Sequence, residues 1–189
     1  MSPPVKHVAM TPNEKVIEQT EKWITNVVVG CNFCPFAARE VKKKTIHYVV
    51  ENDVEMRTCL EVFIKECIRL DNEPAIETTL IILPNAVEKF DDYLELVSLA
   101  ESLLKKEGYE GIYQLASFHP EYRFAGAPAA DAANYSNRSL YPMLHILREE
   151  SIEKALEKYP NPEMIPENNI NFARGKGRAY MKMLRDSCL

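Results

Sequence analysis

Two segments of the chain hold the side chains best suited to chemistry. Cys34 lies in the short segment 32–36, and a cluster of polar residues lies between positions 118 and 142. A cysteine thiol can act as a nucleophile or metal ligand, and a histidine such as His119 exchanges protons near neutral pH. The guanidinium group of Arg138 can hold an anion through two hydrogen bonds. These residue types predict Cys34, His119 and Arg138 as catalytic residues, provided that the fold brings them together.

The interval from Phe118 to Pro142 is long and follows neither a helical nor a strand period. Loops of this length are uncommon in compact domains unless they are functional or disordered, and the density of aromatic residues here argues against disorder. We therefore expect this loop to form one wall of a pocket, with the Cys34 turn as the opposite wall. The predicted ligand-binding residues are Arg123, Asp131, Asn134, Tyr135 and Asn137. The alternative is that these side chains only close the loop through turns and ion pairs.

Cys31 and Cys34 form a CxxC pair that has two further interpretations. One is a redox pair at the start of a helix, and the other is half of a metal site. The candidate metal ligands are Cys34, His119 and His145, although no second close pair of ligands accompanies the cysteines. His145 alternates with apolar neighbours, which is also typical of a histidine held within a sheet.

The elements that must position these residues follow from hydrophobic periodicity. Helical spacing of apolar residues predicts helices, and β-branched or continuous apolar runs predict strands. The predicted helices are 12–29, 53–70, 87–107, 151–159 and 171–186, with a short helix after Pro35. The predicted strands are 45–51, 78–83, 112–118 and 143–148, of which the last has a helical alternative.

This alternation predicts one α/β domain over residues 12–189, preceded by a loose tail at 1–11. We expect a small, mainly parallel or mixed sheet of three to four strands with flanking helices. A ferredoxin-like α+β arrangement is the alternative.

Composition indicates which classes of partner and which cellular compartment suit the protein. The net charge of −5 argues against a nucleic-acid binder, which needs a basic surface to displace counterions from phosphates. No apolar run is long enough for a membrane span or a signal peptide. Five cysteines, an odd number, suggest free thiols in a reducing compartment. We therefore expect a cytoplasmic protein with a small-molecule ligand, and the oligomeric state stays open.

The chain also resembles a bacterial family catalogued as domain of unknown function 1415. The resemblance rests on three motifs and extends over about residues 14–185. The motifs are NFCPFA at 32–37, SFHP at 117–120 with Phe124, and NYSNRS at 134–139 running into YPMLHILRE at 141–149. The family pattern has proline where this chain has Leu140, and it does not require a cysteine at position 31. The resemblance therefore implies that Cys34 matters more than the CxxC pair, and it implies no particular activity.

Three functional hypotheses remain from the sequence. The first is an enzyme acting on a small anionic molecule between the 118–142 loop and the Cys34 turn. The second is a metal-binding protein that uses Cys34, His119 and His145, so that a metal ion is the cofactor to be considered. The third is a non-catalytic interaction module whose contact surface is the aromatic loop.

Overall fold

The computed structural model describes residues 10–189. The predicted tail comprises residues 1–11, and residues 1–9 of it lie outside the described residues. The described helices are α1 Pro12–Trp23, α2 Ala37–Lys43, α3 Met56–Asn72, α4 Phe90–Lys106, α5 Glu149–Leu156, α6 Ile165–Lys176 and α7 Arg178–Asp186. The described strands are β1 Ile46–Val50, β2 Thr78–Ile82, β3 Tyr113–Phe118 and β4 Met143–Arg148. The α/β fold class predicted from the sequence is confirmed.

The four strands form one mixed sheet in the order β1-β2-β4-β3. β1 and β2 are parallel, and β4 is antiparallel to both β2 and β3. The three strands that alternate with helices therefore run in one direction, as βαβ units require. The sheet is of the mixed kind that the sequence allowed, because the chain returns through the 118–142 loop and β4 inserts antiparallel between β2 and β3. Segment 143–148 is a strand, so the helical alternative for it was wrong.

Both faces of the sheet are apolar and both carry helices. On one face, Ile81, Leu144 and Ile146 pack with Phe63 of α3 and Leu96 of α4. On the other face, Leu80, Ile82 and Met143 pack with residues of α1 and of the C-terminal helices, among them Trp23, Ala173 and Met181. The second face is covered by helices from the two ends of the chain.

The first helix begins as the sequence predicts and ends differently. The Thr11 side chain accepts from Glu14 N–H at 3.3 Å, and the Glu14 carboxylate accepts from Thr11 N–H at 2.7 Å, which together form a capping box. From Ile24 to Val29 the helix widens into a π-helix. Trp23, Ile24, Val27 and Val28 are all buried there, so the π-helical segment presents paired apolar side chains to the sheet.

Gly30 ends the π-helix at a position where the backbone of the preceding turn leaves no room for a side chain. Its N–H donates to Thr25 O at 3.0 Å, and a Cβ at this position would lie 2.3 Å from the Asn26 carbonyl oxygen. Because the obstructing atom belongs to the backbone, it cannot move aside without unwinding the turn. Gly30 therefore fixes where the chain leaves the helix and starts towards Cys34.

We predict that Gly30→Ala destabilises the protein by about 1–3 kcal/mol, because the new methyl group must displace helix backbone. Gly175→Ala is the matched control, since that glycine lies in α6 and a Cβ added to it would meet no atom within 4 Å. The control should stabilise the fold by about 0.5–1 kcal/mol. Urea unfolding midpoints measure both, and equal effects of the two substitutions would contradict the steric account.

Candidate functional site

A cavity of about 480 Å³ lies on the α1 face of the sheet. Its floor is the sheet itself, one wall is the end of α1 with the π-helix and the Cys34 segment, and the other wall is α5. The floor residues are Thr78, Leu80, Ala116, Phe118, His145 and Leu147. The wall residues include Trp23, Ile24, Val28, Cys34, Phe36, Ser151, Ile152, Ala155 and Tyr159. Most of this surface is apolar, which is usual for small-molecule pockets.

Aromatic contacts hold the walls in place. The Trp23 ring meets Phe118 edge-on with centroids 5.3 Å apart, which fixes α1 to β3 at the floor. The Phe36 ring meets Tyr159 in the same way at 5.7 Å, which joins the Cys34 turn to the segment following α5. These two contacts join α1 to the sheet and the Cys34 turn to the segment after α5, so the walls of the cavity are fixed relative to its floor and to each other.

Two polar atoms of the lining residues have no hydrogen-bond partner among residues 10–189. They are the indole N–H of Trp23 and one carboxylate oxygen of Glu77. Leaving a buried polar atom unpaired costs on the order of 1–3 kcal/mol. Both atoms are enclosed by protein, so neither is open to a ligand in the cavity.

His145 is the central polar group of the floor. Its Nε2 lies 2.5 Å from the Thr78 hydroxyl oxygen, and that hydroxyl lies 2.6 Å from Ile146 O. Burial lowers the pKa of His145 to about 4. The imidazole is therefore neutral at physiological pH.

Cys34 is the half-exposed cysteine of the chain, whereas the other four cysteines are buried. Burial raises the pKa of the Cys34 thiol, and hydrogen bonds from the backbone N–H groups of Phe36 and Ala37 offset only part of this effect. Cys34 is consequently a protonated thiol at neutral pH. No disulfide joins it to Cys31, since both cysteines are free.

The cavity also carries positive charge at its rim. Arg39, Lys154 and Lys158 all line it. Arg39 lies 3.2 Å from Glu40 and Lys154 pairs with Glu150, but the side chains of both cations stay more than half exposed. Lys158 is exposed and makes no ion pair with another described residue. Cations at this rim stand out in a chain of net charge −5.

The structure places His119 on the other side of the sheet. Its ring packs against Phe90 and Tyr93 of α4, with centroids 5.3 and 4.9 Å away. Nδ1 accepts from Glu121 N–H at 3.0 Å, so Nε2 carries the proton and donates to Val87 O at 3.1 Å. Burial lowers the pKa of His119. Both ring nitrogens are therefore hydrogen-bonded to backbone groups. Val87, which accepts one of these bonds, has a left-handed φ of 48° that is strained for a β-branched residue.

Arg138 is also engaged with the backbone. It is 7% exposed and donates to Tyr122 O at 2.9 Å and Ala129 O at 2.8 Å. Its guanidinium group lies over the ring of Tyr135, 4.9 Å from the centroid. Tyr135 is itself buried at 2% exposure. The two loop carbonyls and the Tyr135 ring take the place around Arg138 that an anionic ligand was expected to occupy.

The other predicted ligand-binding residues hold the loop in a similar way. Asn134 accepts from Phe124 N–H at 3.1 Å and donates to Pro128 O at 3.0 Å. Asn137 donates to Ser117 O at 3.1 Å. Asp131 caps the 3₁₀ helix Ala132–Ser136 and pairs with Arg174, whose hydrogen bond lowers the pKa of Asp131 to about 2. Arg123 is exposed.

The expected joint site of Cys34, His119 and Arg138 is therefore not formed. Of the 118–142 loop, only Phe118 lines the cavity that contains Cys34. The reason is the alternation of side chains along β3, which sends Phe118 to one face of the sheet and His119 to the other. Cys34 instead shares the lining of its cavity with His145. Within residues 10–189 no group of three or more His, Cys, Asp and Glu side chains is placed to bind a metal ion.

Sequence reasoning missed most of the cavity. Trp23, Glu77 and Thr78 were not among the predicted site residues, and α5 was not expected to form a wall. One signal was present, because His145 interrupts an otherwise apolar strand at the centre of the sheet. The walls come from three separate parts of the chain, at 23–28, 34–40 and 151–159, so no local motif indicates them.

We predict that His145 makes the fold less stable in mild acid. Its unfolded pKa is near 6.5 and its folded pKa is about 4, so below pH 6.5 the unfolded chain gains a proton that the folded protein does not. This contribution should lower the free energy of unfolding by about 2 kcal/mol between pH 7 and pH 5.

The measurement is urea unfolding at both pH values for the wild type and His145→Gln, whose amide can still donate to Thr78. His119 acts in the same direction but is present in both proteins, so the difference isolates His145. An identical pH dependence in the two proteins would contradict the prediction.

Comparisons with known proteins give a family and no activity. A family model described as a protein of unknown function (DUF1415) matches residues 15–183. No curated protein and no solved structure matches the chain. Among residues 10–189, no helix has the length and apolar character needed to cross a membrane. Since the match extends over most of its length, the chain belongs to the DUF1415 family of proteins of unknown function.

Proposed function

We propose that the protein binds a small, mainly apolar molecule with an anionic group in the cavity between the sheet, the Cys34 segment and α5. The observation that carries this proposal is a cavity of about 480 Å³ with an apolar floor and a few polar side chains in its lining, among them His145 and Ser151. Cavities of this size accommodate small ligands, and a few placed polar groups among apolar ones provide orientation.

The charge of the rim supports an anionic group on the ligand. Arg39, Lys154 and Lys158 line the cavity at positions exposed to solvent. The carboxylates that line it are Glu40, which accepts from Thr45, and Glu77. An anion at the rim gains from these cations without being buried, which avoids the large cost of desolvating a charge.

This proposal moves the site expected from the sequence. The 118–142 loop keeps a supporting part, since its polar side chains bind the loop backbone and place Phe118 and β4 at the cavity floor. Cys34 remains in the proposed site as a wall residue. His145 takes the position that His119 was expected to hold.

An enzymatic role is the second candidate, and the shared lining supports it. A protonated thiol at Cys34 and a neutral imidazole at His145 line the same cavity. Nucleophilic catalysis by cysteine needs a thiol near a base. The interaction module has less support, since Tyr135 is buried and Tyr122 and Tyr141 are half-buried.

A cytoplasmic location and the absence of a nucleic-acid partner also stay proposals. All five cysteines are free, which suits a reducing compartment. The net charge of −5 disfavours binding to phosphate backbones.

The cavity provides its own spectroscopic probe, because Trp23 is the single tryptophan of the chain and lines the cavity. We predict saturable changes in Trp23 fluorescence with octanoate, weaker binding of methyl octanoate and the weakest binding of octylammonium. The order follows from a shared apolar chain and a cationic rim. Octanoate should also protect Cys34 from iodoacetamide, as measured by peptide mass spectrometry.

Ala155→Phe is the variant that tests the location, because Ala155 lines the cavity and a phenyl group would fill it. It should weaken octanoate binding at least about tenfold, which is about 1.4 kcal/mol. The matched control is Ala38→Phe at an exposed position of α2 outside the cavity, and it should bind like the wild type. No saturable binding, or equal losses in the two variants, would contradict the proposed function.

A further inference from the structure

The hydrogen bonds around His145 determine which of its nitrogens carries the proton. Ile146 O can only accept, so the Thr78 hydroxyl must donate its one proton across the 2.6 Å contact. The hydroxyl oxygen can then only accept from His145 Nε2 across the 2.5 Å contact. The ring is therefore the Nε2–H tautomer, and Nδ1 carries a lone pair.

The Nδ1 lone pair has no hydrogen-bond partner among the described residues, and the atom is accessible from outside the protein. Nδ1 has no hydrogen bond, and it is absent from the fully enclosed polar atoms that lack one. His145 lies on a central strand between β2 and β3, on the face opposite α3 and α4. The open side of its ring is therefore the cavity, where it lies beside Phe118 with centroids 6.0 Å apart.

The surroundings of Nδ1 select what can bind there. The floor around it consists of Leu80, Ala116 and Leu147 besides Phe118. In such an apolar setting a carboxylate facing the lone pair would be both desolvated and repelled. A hydroxyl or N–H group would instead replace its lost hydrogen bond to water with one to Nδ1.

We propose that the natural ligand carries a hydroxyl or N–H group at its inner end, which donates to His145 Nδ1, while its anionic group lies at the Arg39/Lys154/Lys158 rim. This inference rests on the proposed function and adds the orientation of the bound ligand. The hydrogen-bond donor lies at the inner end, the anionic group lies at the rim, and an apolar body connects the two. The substrate class is that of hydroxy or amino compounds with a distant acidic group, such as ω-hydroxy acids or phenolic acids.

Matched pairs of straight-chain probes test this class. The probes are hexanoate, octanoate and decanoate, each compared with its ω-hydroxy analogue, because the span from the rim to His145 is gauged by chain length. Trp23 fluorescence titration gives the dissociation constant of each probe. At the best-fitting length, the hydroxy acid should bind at least about fivefold more tightly than the plain acid.

His145→Phe removes the acceptor and keeps a ring of similar size. The preference for the hydroxy acid should disappear in this variant, because the ring no longer offers an acceptor to the hydroxyl. The control is His47→Phe on β1, whose histidine lies 3.6 Å from Glu66 of α3, on the opposite face of the sheet. Ser151→Ala removes another hydroxyl of the lining and should leave the preference unchanged.

The outcomes separate this inference from the proposed function. Binding of the plain acids with no preference for the hydroxy acid at any length would overturn the inference and leave the proposed function standing. A preference that survives His145→Phe, or is lost in Ser151→Ala, would also overturn it. If no acid of either series binds, the proposed function and this inference both fail. The wild-type pairs decide the question even if a variant does not fold.

Discussion

The sheet of this protein is apolar on both faces, and that constraint governs where every helix must lie. One face is covered in an orderly way by the two long helices α3 and α4. The other face is covered by α1 and the π-helix from one end of the chain and by α6 and α7 from the other. These helices cover the part of the face near Ile82 and Met143, and α5 stands across from them. The part of the face around His145 is left open, and it is the floor of the cavity.

The polar loop from Phe118 to Pro142 shows how a cluster with catalytic composition can serve structure. A chain that leaves β3 and must return as the antiparallel strand β4 has many backbone groups to satisfy in a partly buried place. His119, Asn134, Asn137 and Arg138 supply those hydrogen bonds. As a result, β4 is held in register between β2 and β3, and His145 with it.

Much of the fold follows from sequence patterns that act locally. β-Branched and apolar runs identify all four strands, and Thr11 with Glu14 identifies the start of α1. The antiparallel insertion of β4 does not follow, because pairing depends on the path of a loop without a period. The π-helix was also missed, since widening by one residue per turn leaves the apolar pattern of Ile24 and Val28 close to that of an α-helix.

The candidate site was only partly predictable, for a different physical reason. Residue types show which chemistry is available, but not whether a side chain faces a ligand or its own backbone. His119 and His145 have the same chemistry, and only the alternation of their strands and the partners of their nitrogens separates them. Cys34 was found because its position in the motif is distinctive. Trp23 lies on the apolar face of a helix, where packing already explains it. Glu77 lies just before β2, where solvation of a charged side chain explains it, so neither residue indicates a site.

The central claim is that the cavity between the sheet, the Cys34 segment and α5 is the functional site. A crystal structure of the protein with 8-hydroxyoctanoate tests it most directly. We expect the probe in the cavity, with its hydroxyl oxygen about 2.7–3.0 Å from His145 Nδ1 and its carboxylate at the rim beside Arg39, Lys154 and Lys158. A probe bound instead against the 118–142 loop, with the cavity closed by its own side chains, would contradict the account.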